Sequence, residues 1–205
     1  MKKVGQGLQF NVYLKDGKIF KKPTSKFQMI LTLVSWSPLL LFQIKKLKKE
    51  ISQATNLRNI AITNLKKIDY DKKILANLVF NENSIGQDKV IPLEQIINKD
   101  YDKSKIIIEN FIKLIFECWK NGFSDKIFNL TINNGITDSG EIVLMDFGEM
   151  TFKKSDVEQD IEEKRWERSR DFKTRLRKDI KSYYKKRMIE EMTILNLNKY
   201  WKSKK

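Results

Sequence analysis

The sequence predicts an α+β chain in which a small antiparallel sheet comes first and helices dominate the remainder. Three observations predict it. Phe10-Asn11-Val12-Tyr13-Leu14 alternates apolar and polar side chains, Asp16-Gly17 is a hairpin turn pair, and Lys18-Ile19-Phe20-Lys21 returns before Pro23. Apolar residues then recur at three- and four-residue spacing at Ile44, Leu47, Ile51 and Ala54. The same spacing returns at Ile108, Phe111, Ile112, Ile115, Phe116 and Trp119. Strand period and helix period occupy separate blocks, as a segregated sheet and helices require.

After the helix that begins near Ile44, Ile60 to Ile68 and Lys73 to Phe80 read as two further strands, the second ending at Asn81-Glu82-Asn83-Ser84. Asp102 or Ser104 is expected to cap the long second helix and Gly122 to close it. A hairpin is expected next, from Leu130-Thr131-Ile132 and Glu141-Ile142-Val143-Leu144, with Asn133-Asn134-Gly135 and Ser139-Gly140 between them. Beyond Ser155 the chain reads as helical, with Phe172, Leu176, Ile180 and Tyr184 four residues apart. These elements divide into an N-terminal part, 1–100, and a C-terminal part, 101–205.

Composition narrows the chemistry. The chain has no histidine, which excludes histidine acid–base work, Ser-His-Asp triads and histidine metal ligands. Its one cysteine, Cys118, sits in an apolar helical pattern, so an inert buried thiol in a reducing, cytoplasmic setting is expected. Met1-Lys2-Lys3 leads into no continuous apolar run, so no signal peptide is expected. The net charge is +15, and Lys164 to Lys205 holds sixteen Lys and Arg against five Asp and Glu. That basic stretch suits a polyanion or an anionic membrane surface, although lysine is abundant throughout and no nucleic-acid motif accompanies it. Phe27 to Phe42 is apolar apart from Gln28, Thr32, Ser35 and Ser37. It is too short to span a membrane, and Ser35-Trp36-Ser37-Pro38 interrupts it, so a buried helical insert is expected, with shallow membrane insertion as the alternative.

The motifs carry the functional reading. Asp146-Phe147-Gly148 follows the apolar strand Ile142 to Met145, and Asn129 stands seventeen residues before Asp146. A carboxylate at a strand end and an amide in the preceding loop are oxygen ligands of the kind Mg²⁺ takes. Upstream lie Gly5-Gln6-Gly7 ahead of Val12, then Lys21 and its neighbour Lys22, then Glu50, the only acidic residue between Asp16 and Asp69. At 100° per residue Glu50 lies on the shoulder of the Ile44/Leu47/Ile51/Ala54 stripe.

In this order the motifs resemble those of the protein-kinase-like superfamily, over residues 4–155 and closest to small, atypical bacterial members that act on small molecules or lipopolysaccharide. The resemblance implies a two-lobed fold, with a small antiparallel N-terminal sheet plus an αC helix and a reduced, mostly helical C-lobe. It implies an ATP-dependent phosphotransferase using Mg²⁺, with an unknown, non-protein acceptor. Gly5, Gly7 and Val12 would lie over the nucleotide, and Lys21 or Lys22 would hold its phosphates. Glu50 would orient that lysine, Asn129 and Asp146 would bind metal, and Asp125 would serve as the base. The loop lacks the His-Arg pair, and Ser124 stands where the base Asp is expected, with Asp125 beside it. The alternative is therefore an inactive scaffold that binds nucleotide or a partner on the same fold. A monomer in the cytoplasm, peripheral to the inner face of a membrane, completes the expectation.

Overall fold

A computed structural model describes residues 1–169 and 171–202. Arg170, Lys204 and Lys205 of the basic tail lie outside the described residues. The chain is α+β, and it divides into two compact units, Met1–Lys67 with Asn77–Lys89, and Ile68–Ala76 with Val90–Lys205.

The first unit is built on β1 (Lys2–Gln6), β2 (Phe10–Lys15) and β3 (Lys18–Pro23), followed by α1 (Lys26–Trp36), α2 (Ile44–Leu65), β4 (Val79–Phe80) and β5 (Ile85–Asp88). The strands form one antiparallel sheet in the order β1-β2-β3-β5-β4. Asp16 and Gly17 both take positive φ, 49° and 74°, which is the mirror-image turn that Asp-Gly favours. Helix α1 begins with a capping box, in which the Ser25 hydroxyl accepts from the Gln28 amide and the Gln28 side chain accepts from the Ser25 amide. A 3₁₀ turn over Pro38–Phe42 leads into α2.

Helix α2 continues to Leu65, through the segment read from sequence as a strand. Its β-branched residues Ile60, Ile62 and Thr63 are overridden because Ala61 and Leu65 extend the buried stripe of Leu47 and Ala54. The second expected strand shrinks to Val79–Phe80, after a 3₁₀ turn over Lys72–Leu75.

The second unit contains β6 (Ile91–Pro92), α3 (Tyr101–Lys120), β7 (Ser124–Asp125), β8 (Asn134–Ile136), β9 (Ile142–Leu144) and β10 (Met150–Thr151). It ends in α4 (Lys154–Glu162), α5 (Lys178–Glu191) and α6 (Ile194–Tyr200). Strands β6, β8 and β9 form a three-stranded sheet, and β7 pairs with β10. The cap of α3 is Asp100, whose carboxylate accepts from the Lys103 amide at 2.8 Å, earlier than the sequence pattern suggests. At the other end Gly122 (φ +77°) donates to the Trp119 carbonyl and Phe123 to that of Cys118, the paired bonds that close a helix on a left-handed glycine. Helices α3 and α5 are clamped by Arg187, which pairs with Glu109, Glu190 and Glu191.

Much of the charge in the basic tail is met locally. Arg165 and Arg168 pair with Glu163, Arg175 with Glu94, Arg177 with Asp179, and Lys185 with Glu167. No helix among the described residues is long and apolar enough to cross a membrane.

The expected second hairpin is displaced. Its first strand is Asn134–Ile136, four residues beyond Leu130-Thr131-Ile132, because Leu130 and Thr131 are wholly buried in the preceding loop. Gly135 allows β8 to approach β6 closely: a Cβ there would lie 2.4 Å from Val90 Cγ2 and 3.1 Å from the Ile91 carbonyl oxygen. Gly135→Ala is accordingly expected to cost about 1–3 kcal/mol by overpacking. Urea unfolding checks this: the midpoint should fall with an unchanged slope.

Candidate functional site

In the first unit, Lys21 is buried on central strand β3, opposite Val12 on β2 and Ile85 on β5, with its ammonium 5.9 Å from the centre of the Phe10 ring. Lys22 faces the other way, exposed, over the ring of Tyr13. The pleat thus separates the two lysines that sequence left open, and Lys21 is the one turned inward.

Glu50 is half-buried on the first half of α2 and makes no hydrogen bond or ion pair among the described residues, with Lys21 or Lys22 included. The expected lysine–glutamate pair is therefore not formed. The physical reason is the helix face. Arg58 and Glu50 stand about 80° apart, on opposite edges of the Leu47/Ala54/Ala61/Leu65 stripe, so the two side chains reach different neighbours. It is Arg58 that reaches the sheet, donating to the Gln9 carbonyl at 3.1 Å and to the Thr24 carbonyl at 3.5 Å.

The loop after Gly5 is also tied down. Gly5 pairs with Val12 inside β1, while Gly7 donates its amide to the Phe10 carbonyl at 2.8 Å. The Gly7 carbonyl accepts from the Thr24 hydroxyl, Gln6 donates to Thr32 of α1, and Leu8 packs on Leu33, Leu40 and Leu47. Instead of an open cradle of amides waiting for phosphates, Gly5-Gln6-Gly7 leads into a closed turn anchored on α1 and α2.

In the second unit, Asp125 is the centre of a knot. It lies on β7, almost wholly buried, opposite Met150. One carboxylate oxygen accepts from the Asn129 amide at 2.9 Å and the other from Asn133 Nδ2 at 3.1 Å. Burial pushes this carboxyl up to about 8; the charges of Glu149 and Asp146 add to the shift, while the two hydrogen bonds oppose it.

Asn133 does double duty. Its backbone carbonyl accepts from the amides of Met145 and Asp146, at 2.8 and 3.1 Å. One residue therefore couples the Asp125 loop to the end of β9, where Asp146 stands. Asn134 braces the same loop, donating to the carbonyls of Asn129 and Leu130.

Asp146 is exposed at the end of β9, and one carboxylate oxygen accepts from the Gly148 amide at 3.1 Å. Glu149 keeps a solvent-facing surface, yet surrounding protein and the charge of Asp146 push its carboxyl up, with Lys126 acting in the opposite direction. The Lys126 backbone amide donates to the Glu149 carbonyl, which joins β7 and β10 beside this acidic pair.

The loop is held in an unusual conformation. Phe128, fully buried, has φ +50°, a region that bulky side chains rarely adopt. Trp166 packs edge-on against its ring, and the Tyr184 hydroxyl of α5 donates to its carbonyl at 2.9 Å. Trp119 Nε1 donates to Ser124 at 3.2 Å, which gives Ser124 a structural task inside the core. Cys118 is buried, and burial pushes its thiol up, so it is an inert core thiol.

Sequence reasoning singled out Lys21, Asp125, Asn129 and Asp146, and did not single out Asn133 or Arg58. The Asn129 backbone helps fix Asp125, while its side-chain amide makes no hydrogen bond among the described residues. The arrangement fits Mg²⁺ better than a transition metal. Its donors are carboxylate and amide oxygens, and the Asp146 and Glu149 carboxylates lie close enough for the charge of Asp146 to push Glu149 up. Among the described residues no cluster of three His, Cys, Asp or Glu could form a metal cage, so such an ion would be completed by water and phosphate. No family model matches the chain, and no curated protein matches it.

Proposed function

We propose that this chain is an ATP-dependent phosphotransferase of the protein-kinase-like type, its two units serving as an N-lobe and a reduced C-lobe. The observation that carries the reading is the Asn133 knot. A single residue fastens a buried loop carboxylate, Asp125, to an exposed strand-end carboxylate, Asp146, directly after a β-hairpin. Supporting it are the five-stranded antiparallel sheet with an inward lysine on its central strand and the long helix that comes after it in sequence.

In this reading Lys21 neutralises nucleotide phosphate, and Asp146, with the Asn129 amide, offers oxygen to Mg²⁺. The ion would supply charge neutralisation at the transferring phosphate. Asp125 organises the loop: both its oxygens accept hydrogen bonds from that loop, and at neutral pH it is largely protonated. Positioning and charge neutralisation dominate phosphoryl transfer, so a weakened base slows the reaction without forbidding it.

The same engagement of Asp125, with Glu50 unpaired, favours a second reading, a scaffold that binds nucleotide without turning it over. The test is thermal unfolding with and without Mg-ATP. Ligand at a hundred times its dissociation constant adds about 2.7 kcal/mol to stability, a shift of several degrees. Lys21→Met should lose that shift. A wild-type midpoint unmoved by millimolar Mg-ATP removes both readings, and a shift without transfer of labelled phosphate leaves only the scaffold.

A further inference from the structure

The segment expected to be a buried insert is buried on one side only. In α1, Met29, Thr32 and Leu33 face inward, while Phe27 and Leu31, one turn apart, face solvent. In the 3₁₀ turn Leu40 alone is buried; Leu39 and Leu41 are exposed, and Phe42 is 87 % exposed. Trp36 adds a large exposed ring at the end of α1. A surface helix of a globular unit normally turns polar residues outward, so this run of exposed apolar side chains is a contact surface.

Its electrostatics are one-sided. Lys26 opens α1, and Lys45, Lys46, Lys48 and Lys49 open α2; none of the five is in an ion pair among the described residues. Glu50 is the only acidic residue between Asp16 and Asp69. A groove of about 550 Å³ runs between α1 and α2, with Lys26 and Lys48 on its walls and Ser52, Thr55 and Asn56 beside them. Ammonium, hydroxyl and amide groups over an apolar floor of Ile30 and Ile51 suit a phosphodiester headgroup.

We infer that this face docks on an anionic lipid bilayer, the apolar crest entering the interface and the lysines meeting lipid phosphates. The length of the segment fits lying in the interface rather than crossing it, since no described helix is long and apolar enough to span. A second copy of the chain fits less well, because self-association through this face would bring two lysine clusters together. The inference stands apart from the phosphotransferase reading, since none of these residues belongs to the site described above.

The full chain is mixed with vesicles of phosphatidylcholine alone, or of phosphatidylcholine with phosphatidylglycerol at roughly 3:1. Sedimentation should recover it with the anionic vesicles, and Trp36 emission should shift to the blue on binding, a change absent in Trp36→Phe. The double variant Leu39→Ser/Phe42→Ser removes two exposed side chains and should keep the unfolding midpoint, yet bind roughly tenfold or more weakly. Lys45→Gln/Lys46→Gln/Lys48→Gln/Lys49→Gln should weaken binding comparably and reduce its salt dependence, with Lys26 left in place. Absence of the chain from the vesicle pellet overturns the inference, as does equal binding by the Leu39/Phe42 variant. A dimer in sedimentation velocity that this variant dissolves would overturn it too, assigning the face to a second copy. Capture by polyglutamate in place of vesicles would also overturn it, assigning the face to an acidic protein.

Discussion

Asp146→Ala is expected to abolish phosphoryl transfer, by about a thousandfold or more, while the protein stays folded and nucleotide binding survives in part. The size of the effect comes from where the carboxylate sits. Asp146 is exposed, so its carboxylate is there for a ligand, and the one hydrogen bond that carboxylate makes among the described residues is to accept the Gly148 amide. Removing it costs that turn about 1 kcal/mol of stability and, in the proposed mechanism, takes away the carboxylate that would hold the metal. Transfer of label from [γ-³²P]ATP into lysate components measures the loss, with unfolding midpoints compared in parallel. Asp146→Asn keeps the turn and one oxygen and should fall between the two. Wild-type turnover in the alanine variant would exclude Asp146 as a metal ligand.

The second large effect is on stability against pH. Asp125 titrates at about 8 in the folded chain and in the ordinary carboxylate range when unfolded. Between those values the folded state holds a proton that the unfolded state has lost, so stability must fall as pH rises from about 4 to about 8. It is fully present below the unfolded value and lost progressively up to the folded one. The upper bound is about 6 kcal/mol, and relaxation of the loop would reduce it to a few. Glu149 is shifted in the same direction and adds to the slope. Denaturant unfolding at pH 5 and pH 8 checks this, with Asp125→Asn as the control. The variant should flatten the profile and narrow its deficit against wild type as pH rises. A wild-type stability that climbs over this interval would mean that Asp125 is ionised inside the fold.

What the sequence revealed, and what it concealed, has a physical pattern. The first hairpin was readable because Asp16-Gly17 encodes its own turn, and α3 because its apolar face is wide and its end carries Gly122. Where local preference competes with packing, packing prevailed. Ile60-Ala61-Ile62-Thr63 has the composition of a strand yet stays helical, since Ala61 and Leu65 fill the space under α2. The four-residue displacement of β8 has the same origin: Leu130 and Thr131 look like strand residues but are needed in the core of the loop. That displacement concealed Asn133, whose importance lies in a carbonyl shared by two amides and a side chain facing Asp125. Both are tertiary facts with no local signature. Arg58 was within reach, because a lone, half-buried arginine on the edge of a buried helix stripe has to find partners.

The proposed phosphoryl transfer requires Asp146 to be a metal-bound carboxylate when nucleotide is present. Crystals of the chain with Mn²⁺ and a non-hydrolysable ATP analogue would locate the ion by its anomalous scattering. The predicted result is a manganese peak about 2 Å from an Asp146 carboxylate oxygen, with the remaining positions filled by phosphate, water and the Asn129 amide oxygen. Nucleotide bound with its manganese away from Asp146, or no nucleotide at millimolar concentration, would contradict it.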